Sequence, residues 1–442
     1  MNSDSEKTMF TGYLTFRNID FTFTFDGDVL RLIPPKDKEK EILESWTLPS
    51  LHGLFNASGP TKKINELQMK KALLVGRRSE SESVIFFLPQ RNTNMTPSNY
   101  DFLVKIDAWF ECNDEKQRIN RMTFSAPEVD RIYPFNLAWD EKFQTREIPP
   151  KKLLESPKRR FYINQSENRP LNVEKKRGKK HWVDAYFFVE PVSDSQSNVF
   201  RSFLAFEFKP TVNRPFLFTL WRVAKRFLQF LCYRRNVFLP EAKLFGPDLK
   251  DNAILYVLGE SGPQDDEALE KNRCVKQAHI AGSEEKILSA IASYLLVFWH
   301  FPESGVEGGY IDPGRFILIT AAFEWEYKRW KKIKRPKTAL RENIKEISKL
   351  YDNVVGAFIK MLFRCNGQTF DIDDVANRFA AQRNRYAHGN LDELFDGMTL
   401  FGVTYMEYLI YAMQLRRFGV DDLNIQRAVN ELFGLGMNPD AM

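Results

Sequence analysis

Cysteine is scarce in this chain of 442 residues. There are four, at Cys112, Cys232, Cys274 and Cys365, with no C-x-x-C pair and no histidine at ligand spacing. That distribution excludes a disulfide framework and a zinc knuckle, and it predicts reduced thiols. Long apolar runs are missing too. The longest, Ala290 to Phe301, is too short to cross a bilayer and is interrupted by Ser293 and His300, so no membrane span is expected. The opening residues MNSDSEKTMF carry acidic groups and no apolar stretch, which excludes a secretory signal and predicts a cytoplasmic protein. No carboxylates recur at the spacing of a two-metal site, so neither metal nor cofactor is expected.

What is present is an ordinary globular composition, 43% hydrophobic and 28% charged, with 38 phenylalanines to fill a core. The length predicts two domains. The net charge of +6 is modest, but it is placed unevenly. Between Lys151 and Lys180 eleven basic residues face three acidic ones, a local net of +8, which leaves about −2 for the rest of the chain. Such a run is most simply a solvated loop, and the same charge would also steer RNA by its phosphates. On that second reading Lys175, Lys176, Arg177, Lys179 and Lys180 contact the backbone, and the neighbouring Phe161, Tyr162 and Trp182 either stack on unpaired bases or pin the loop to a sheet.

Hydrophobic periodicity divides the chain in two. Phe10 to Phe16, Phe21 to Phe25 and Val29 to Ile33 alternate as half-buried strands, with Asp26-Gly27-Asp28 as a hairpin turn. Further strands are expected at Ala72 to Val75, Ser83 to Leu88, Phe102 to Phe110, Arg121 to Phe124, Val183 to Val189 and Phe203 to Phe208. Pro215 to Arg234 has a helical period and is expected to lie across the β region or bridge it to the C-terminal domain. The pattern predicts an α+β chain: a β-rich N-terminal sensor or regulatory domain over residues 1–280, with a basic loop at 145–182 and a bridging helix near 215–235, then an all-α domain over 281–442. Six helices are expected there. The first is capped by Ser283 and carries Ile287, Ile291, Tyr294, Leu295 and Phe298. The second opens on Asp312-Pro313, and the third runs unbroken from about Lys337 through Leu362. The fourth starts at Asp371 or Asp373, the fifth spans Met398 to Phe418, and the sixth runs from Asp421 to Leu435.

The fourth helix ends in Arg383-Asn384-Arg385-Tyr386-Ala387-His388-Gly389. A guanidinium and an imidazole so close can bind a phosphate and move a proton at one place. Asn384 and His388, four apart, share a helix face, whereas Arg383 lies about 140° around from His388. Gly389 and Asn390 read as the left-handed stop, which sets His388 at the partly negative end of the helix and favours its charged form. The spacing alone is weak evidence, because a basic helix end with a histidine cap has the same sequence. A second match, Arg273 and His279, has Cys274 after the arginine and no glycine stop, and reads as a solvated connector.

The segment RNRYAHGN, ending an amphipathic helix and preceded by ITAAFEWEYKRW, resembles the HEPN superfamily of ribonucleases, and within it the ApeA type of bacterial anti-phage abortive-infection systems. The resemblance covers roughly Gly282 to Leu435. MFTGYLTFRN and FDGDVLRLIPP are similar to the β-rich N-terminal domain of that type. The resemblance implies a helical HEPN bundle and an endoribonuclease that works without metal. A ribose 2′-hydroxyl attacks its own phosphodiester, leaving 2′,3′-cyclic phosphate and 5′-hydroxyl ends. Arg383 would clamp the phosphate oxygens, His388 would shuttle the proton, and Asn384 would orient the imidazole. Glu324 or Glu326 would hold the arginine or histidine, and Tyr386 would either stack on a base or pack in the core. It further implies a homodimer whose two motifs face each other, RNA as substrate with transfer-RNA anticodon loops as the first target to test, and a phage-derived trigger at the N-terminal domain. The competing expectation is a non-catalytic RNA-binding or adaptor protein.

Overall fold

Alternation sets the first strand, β1 (Phe10–Phe16), in which Phe10, Gly12 and Leu14 turn inward while Thr11, Tyr13 and Thr15 face water. The computed structural model describes residues 9–16, 18–38, 73–88, 96–98, 101–113, 116–135, 155–165, 179–194, 197–248, 252–260, 273–304, 311–334, 338–390 and 397–434. After β1 come β2 (Ile19–Phe25), β3 (Val29–Ile33), β4 (Leu73–Arg77), β5 (Ser83–Phe87), β6 (Thr96–Ser98), β7 (Asp101–Lys105), β8 (Ala108–Cys112) and β9 (Ile119–Phe124). A short helix α1 (Pro127–Ile132) precedes β10 (Arg159–Gln165), β11 (Lys179–Asp194) and β12 (Ser197–Thr211). Next are α2 (Arg214–Cys232), β13 (Glu241–Phe245) and β14 (Asn252–Val257). The remaining elements are helical: α3 (Glu284–Ala292), α4 (Pro313–Lys331), α5 (Leu340–Leu350), a π turn at Asp352–Gly356, α6 (Ala357–Cys365), α7 (Ile372–Ala387), α8 (Gly397–Phe418) and α9 (Asp422–Phe433). The chain is α+β, an antiparallel β-rich N-terminal half followed by helices.

Packing divides the chain into two compact units. One holds Met1–Phe124, Ala205–Trp221 and Leu239–Glu260, and the other holds Ser125–Leu204, Arg222–Phe238 and Ser261–Met442. This division is not a single cut near residue 280. The hairpin of β10 and β11 belongs with the C-terminal helices because its inner face, with Phe161, Ile163 and Val183 buried, packs on α3, where Arg159 Nε stands 3.4 Å from Glu284 Oε2. The helix expected at residues 215–235 is α2, whose first half lies in one unit and second half in the other.

In the first unit the strand order is β9-β13-β14-β8-β5-β4-β1-β2-β3-β7-β6. Its core is aromatic: Phe10 meets Trp109 at 5.4 Å and Phe25 meets Phe86 at 5.5 Å between ring centroids. Burying each such ring is worth about 1.5–3 kcal/mol. The Phe23 ring stands so close to two glycines that a Cβ on Gly12 would lie 2.6 Å from it and one on Gly76 2.7 Å. The expected Asp26 hairpin turn forms, with Asp26 Oδ1 accepting from the Val29 amide at 2.7 Å and Gly27 at φ 90°. The single strand expected over Phe102 to Phe110 is instead β7 and β8, broken at Ile106 and Asp107.

In the second unit α8 is the centre. It is buried along nearly its whole length, mostly apolar around its circumference, with Glu407 and Gln414 as buried polar exceptions. Helices α4 and α7 pack against it and against each other. On α7, Val375, Phe379, Gln382 and Tyr386 form the buried stripe, and Phe316 of α4 receives Phe379 at 4.6 Å and Tyr386 at 5.5 Å between ring centroids. Three expectations need correction. Ser283 makes no side-chain cap, and α3 stops at Ala292: Tyr294 turns to φ 54°, leaving it and Leu295 exposed outside the apolar stripe. The long third helix is two helices joined by the π turn, where the Asp352 carboxylate stands against Gly356 in the space a Cβ would take. The basic stretch is in part a strand pair, β10 with β11, rather than a loop. Among the described residues no helix is long and apolar enough to cross a membrane.

Candidate active site at a helix C-terminus

Helix α7 starts at Asp371, whose side chain accepts from the Asp373 amide at 2.9 Å, and it ends at the stop expected from Gly389 and Asn390. Gly389 adopts φ +86°, and the Asn390 amide reaches back to the Arg385 carbonyl at 3.1 Å. His388 occupies the cap itself, its amide bonded to the Asn384 carbonyl at 3.1 Å and its side chain exposed. The imidazole therefore stands in water at the negative end of a 16-residue helix. Among the described residues no side chain hydrogen-bonds to it.

Arg383 reaches the Asn384 side by its length. Its Nη1 donates to Asn384 Oδ1 at 3.3 Å, and its Nη2 stands 3.8 Å from Glu324 Oε1 on α4. Both contacts are long, and both groups are open to solvent, with side-chain exposures of 41% for Arg383 and 28% for Glu324. The guanidinium is thus held in place but not saturated. Glu326 does something else: it is 2% exposed, and its Oε1 accepts from Gln414 Nε2 at 3.3 Å and Arg417 Nη2 at 3.2 Å. Burial pushes its carboxyl up, and the Arg417 charge opposes that shift. Of the two acids that the sequence does not separate, Glu324 faces Arg383 and Glu326 belongs to the core.

Tyr386 is 3% exposed and packs edge-on against Phe316, so it holds α7 to α4 and has no face for a base. The arrangement joins a cation shaped for phosphate, an amide and a free imidazole on one exposed helix end, and it can bind a phosphodiester and transfer a proton beside it.

Arg273 and His279 differ. His279 lies on a 3₁₀ turn (Gln277–Ile280), half-buried rather than solvated, and burial lowers its pKa against the opposing pull of Glu431. Of the basic stretch, Lys175, Lys176 and Arg177 lie outside the described residues. Lys179 begins β11, and Lys180 is exposed with its ammonium 4.7 Å from the Tyr162 ring centre. Phe161 is fully buried, so it anchors the hairpin and does not stack on a ligand. Nothing in the sequence signals that Cys232 and Cys274 meet: 42 positions apart, their sulfurs stand 3.0 Å from each other as a buried thiol pair. Equally unsignalled is the buried group of Arg315, Glu407, Tyr233 and His300, in which Arg315 Nη2 donates to Glu407 Oε1 at 2.6 Å and the Tyr233 hydroxyl donates to the same oxygen at 3.2 Å. Comparison of the chain with protein-family models, with curated proteins and with solved structures returns no match.

Proposed function

We propose that this protein is a metal-independent endoribonuclease of the HEPN kind, of the ApeA type, which cleaves RNA during abortive infection by phage. The observation that carries this reading is the Arg383 guanidinium held loosely between Glu324 and Asn384, on the same helix end as an exposed His388. A phosphodiester takes the donors of the planar Arg383 fork that the long Glu324 contact leaves open, while Glu324 keeps the fork aligned with the charge that develops on the phosphorus oxygens. The 2′-oxygen then bonds to phosphorus as the bond to the 5′-oxygen breaks. One proton leaves the 2′-hydroxyl and another reaches the departing oxygen, which yields a 2′,3′-cyclic phosphate and a 5′-hydroxyl.

A single imidazole performs one of these transfers at a time, so the reaction uses two. The second comes from another copy of the chain across an isologous interface. Supporting that partner is the outer stripe of α4, where Ile317, Leu318 and Trp325 are each more than a third exposed and flank Glu324 along the helix. Transfer-RNA anticodon loops, with splayed bases and mobile 2′-hydroxyls, are the first substrates to test.

His388→Ala is the decisive variant. It abolishes toxicity and RNA cleavage while RNA binding survives. A His388→Ala protein as toxic as the parent overturns catalysis at this site and leaves the RNA-binding adaptor.

A further inference from the structure

The outward face of the β10–β11 hairpin has no role in the cleavage site, and its composition is unusual for a strand pair at the edge of a sheet. Alternation commits the inner positions Phe161, Ile163, Val183 and Ala185 to the core. The outer positions pair across the strands as Arg160 with Asp184, Tyr162 with Trp182 and Asn164 with Lys180. Trp182 is 51% exposed, an uncommon setting for the largest side chain, and its only described ring contact is the edge of Tyr162 at 5.5 Å. One cation stands at this aromatic pair and a second lies further along the hairpin, over the buried ring of Tyr186. The Lys180 ammonium sits 4.7 Å from the Tyr162 ring centre, and that of Lys158, one step beyond the Arg160 pair, sits 4.7 Å from the Tyr186 ring centre. The one carboxylate on these paired positions, Asp184, is occupied by Arg160 through contacts of 2.7 and 3.0 Å.

We infer that this face is a stacking platform for single-stranded nucleic acid, in which Trp182 and Tyr162 receive unpaired bases while Lys180 and Lys158 hold the phosphates. An apolar protein partner would find two aromatic rings hemmed by charge. A single strand needs that combination, because every base has a π face and every linkage a negative charge. Duplex RNA keeps its bases stacked inside and offers only phosphates, so it loses the aromatic part of the attraction. The platform stands apart from the reacting groups, and it binds whether or not Arg383 and His388 cleave.

The test uses the full-length protein and a labelled 2′-O-methyl adenosine oligomer of about ten nucleotides, a length within the span of one such platform, whose blocked 2′-oxygen prevents cleavage. Binding is monitored by anisotropy across a salt series, beside a duplex of equal length. Trp182→Ala weakens the single strand about tenfold, and Trp182→Phe restores most of that loss. Lys180→Gln lowers the slope of log affinity against log salt by about 0.7. Melting curves of all three variants match the parent, since the substituted side chains face water. Trp182→Ala binding the single strand as tightly as the parent overturns the platform. So does a duplex that binds as tightly as the single strand, because charge alone then explains the affinity. The cleavage reading is judged separately by His388→Ala, so either proposal can fail while the other stands.

Discussion

Glu324 and Glu326 stand two residues apart on α4, yet one is partly exposed and the other is in the core. Glu326 is enclosed and receives two donors, Gln414 and Arg417. Glu324 is open, and its one described partner, Arg383, is at 3.8 Å. The same contrast separates the two polar regions of the helical unit. In the buried region Arg315 and Glu407 make a short contact of 2.6 Å, the Tyr233 hydroxyl donates to the same oxygen, and His300 is shut in with them. At the end of α7, Arg383 makes long contacts to Asn384 and Glu324 and is partly exposed, while Asn384 and His388 face solvent. Short, enclosed pairs fix one arrangement, because removing a partner strands a charge without water. Long, open ones leave donors that a ligand can claim at little cost. Residue type does not distinguish the regions; burial does.

The largest effect expected from breaking this contrast is on chemistry. Arg383→Ala lowers cleavage about 10²–10³-fold, the loss expected for one preorganised donor at a charged transition state. Its unfolding midpoint matches the parent, as single-turnover assays and urea melts would show together. An equal loss of stability and rate would instead make Arg383 part of the architecture. Next in size, Glu326→Ala costs about 3 kcal/mol of stability by leaving Arg417 half-buried and unpaired. Glu324→Ala costs under ~1 kcal/mol. Urea unfolding of the two variants side by side sharpens the comparison, and equal losses would erase it.

The third way is by pH. Burial, with Arg315 nearby, holds the His300 pKa down to about 3 from 6.5, and neither ring nitrogen has a hydrogen-bond partner among the described residues. Because the folded value lies below the unfolded one, the unfolded chain takes up a proton first as pH falls. The stability from this group is fully present above about 6.5 and is lost on the way down to about 3. Between pH 7 and pH 5 the parent should lose about 2 kcal/mol relative to His300→Phe in urea melts. Identical pH profiles would mean that His300 meets water. A smaller effect is kinetic: Glu324→Gln slows cleavage about tenfold, because Arg383 loses its tether and some of its alignment.

Much of this contrast is invisible in the sequence for a definite reason. Periodicity locates β1 to β3, α4, α7 and α8, and cap chemistry at Asp312, Asp371, Asp421 and Gly389 marks where helices start or stop, because those signals are local. The joint positions of Arg383, Asn384 and His388 on one helix end come from the same local geometry. Separating Glu324 from Glu326 does not. They lie 200° apart around α4, and which of them faces water depends on where α8 packs, a long-range fact. The broken third helix and the early stop of α3 escape for a like reason, since apolar Tyr294 and Leu295 continue the pattern that the backbone abandons. β10 is hidden inside a basic run, where charge masks the alternation of Phe161 and Ile163.

If Arg383 and His388 cut RNA without a metal ion, the ends of the cut RNA report on it most directly. RNA from cells induced for the parent protein or for His388→Ala can be captured by a ligase that accepts only 5′-hydroxyl ends, with a parallel digestion by purified protein in a chelator. Discrete 5′-hydroxyl ends should accumulate with the parent, persist in the chelator and be absent with His388→Ala. The same ends from the His388→Ala protein, or cleavage that stops when divalent ions are removed, would contradict catalysis by this pair.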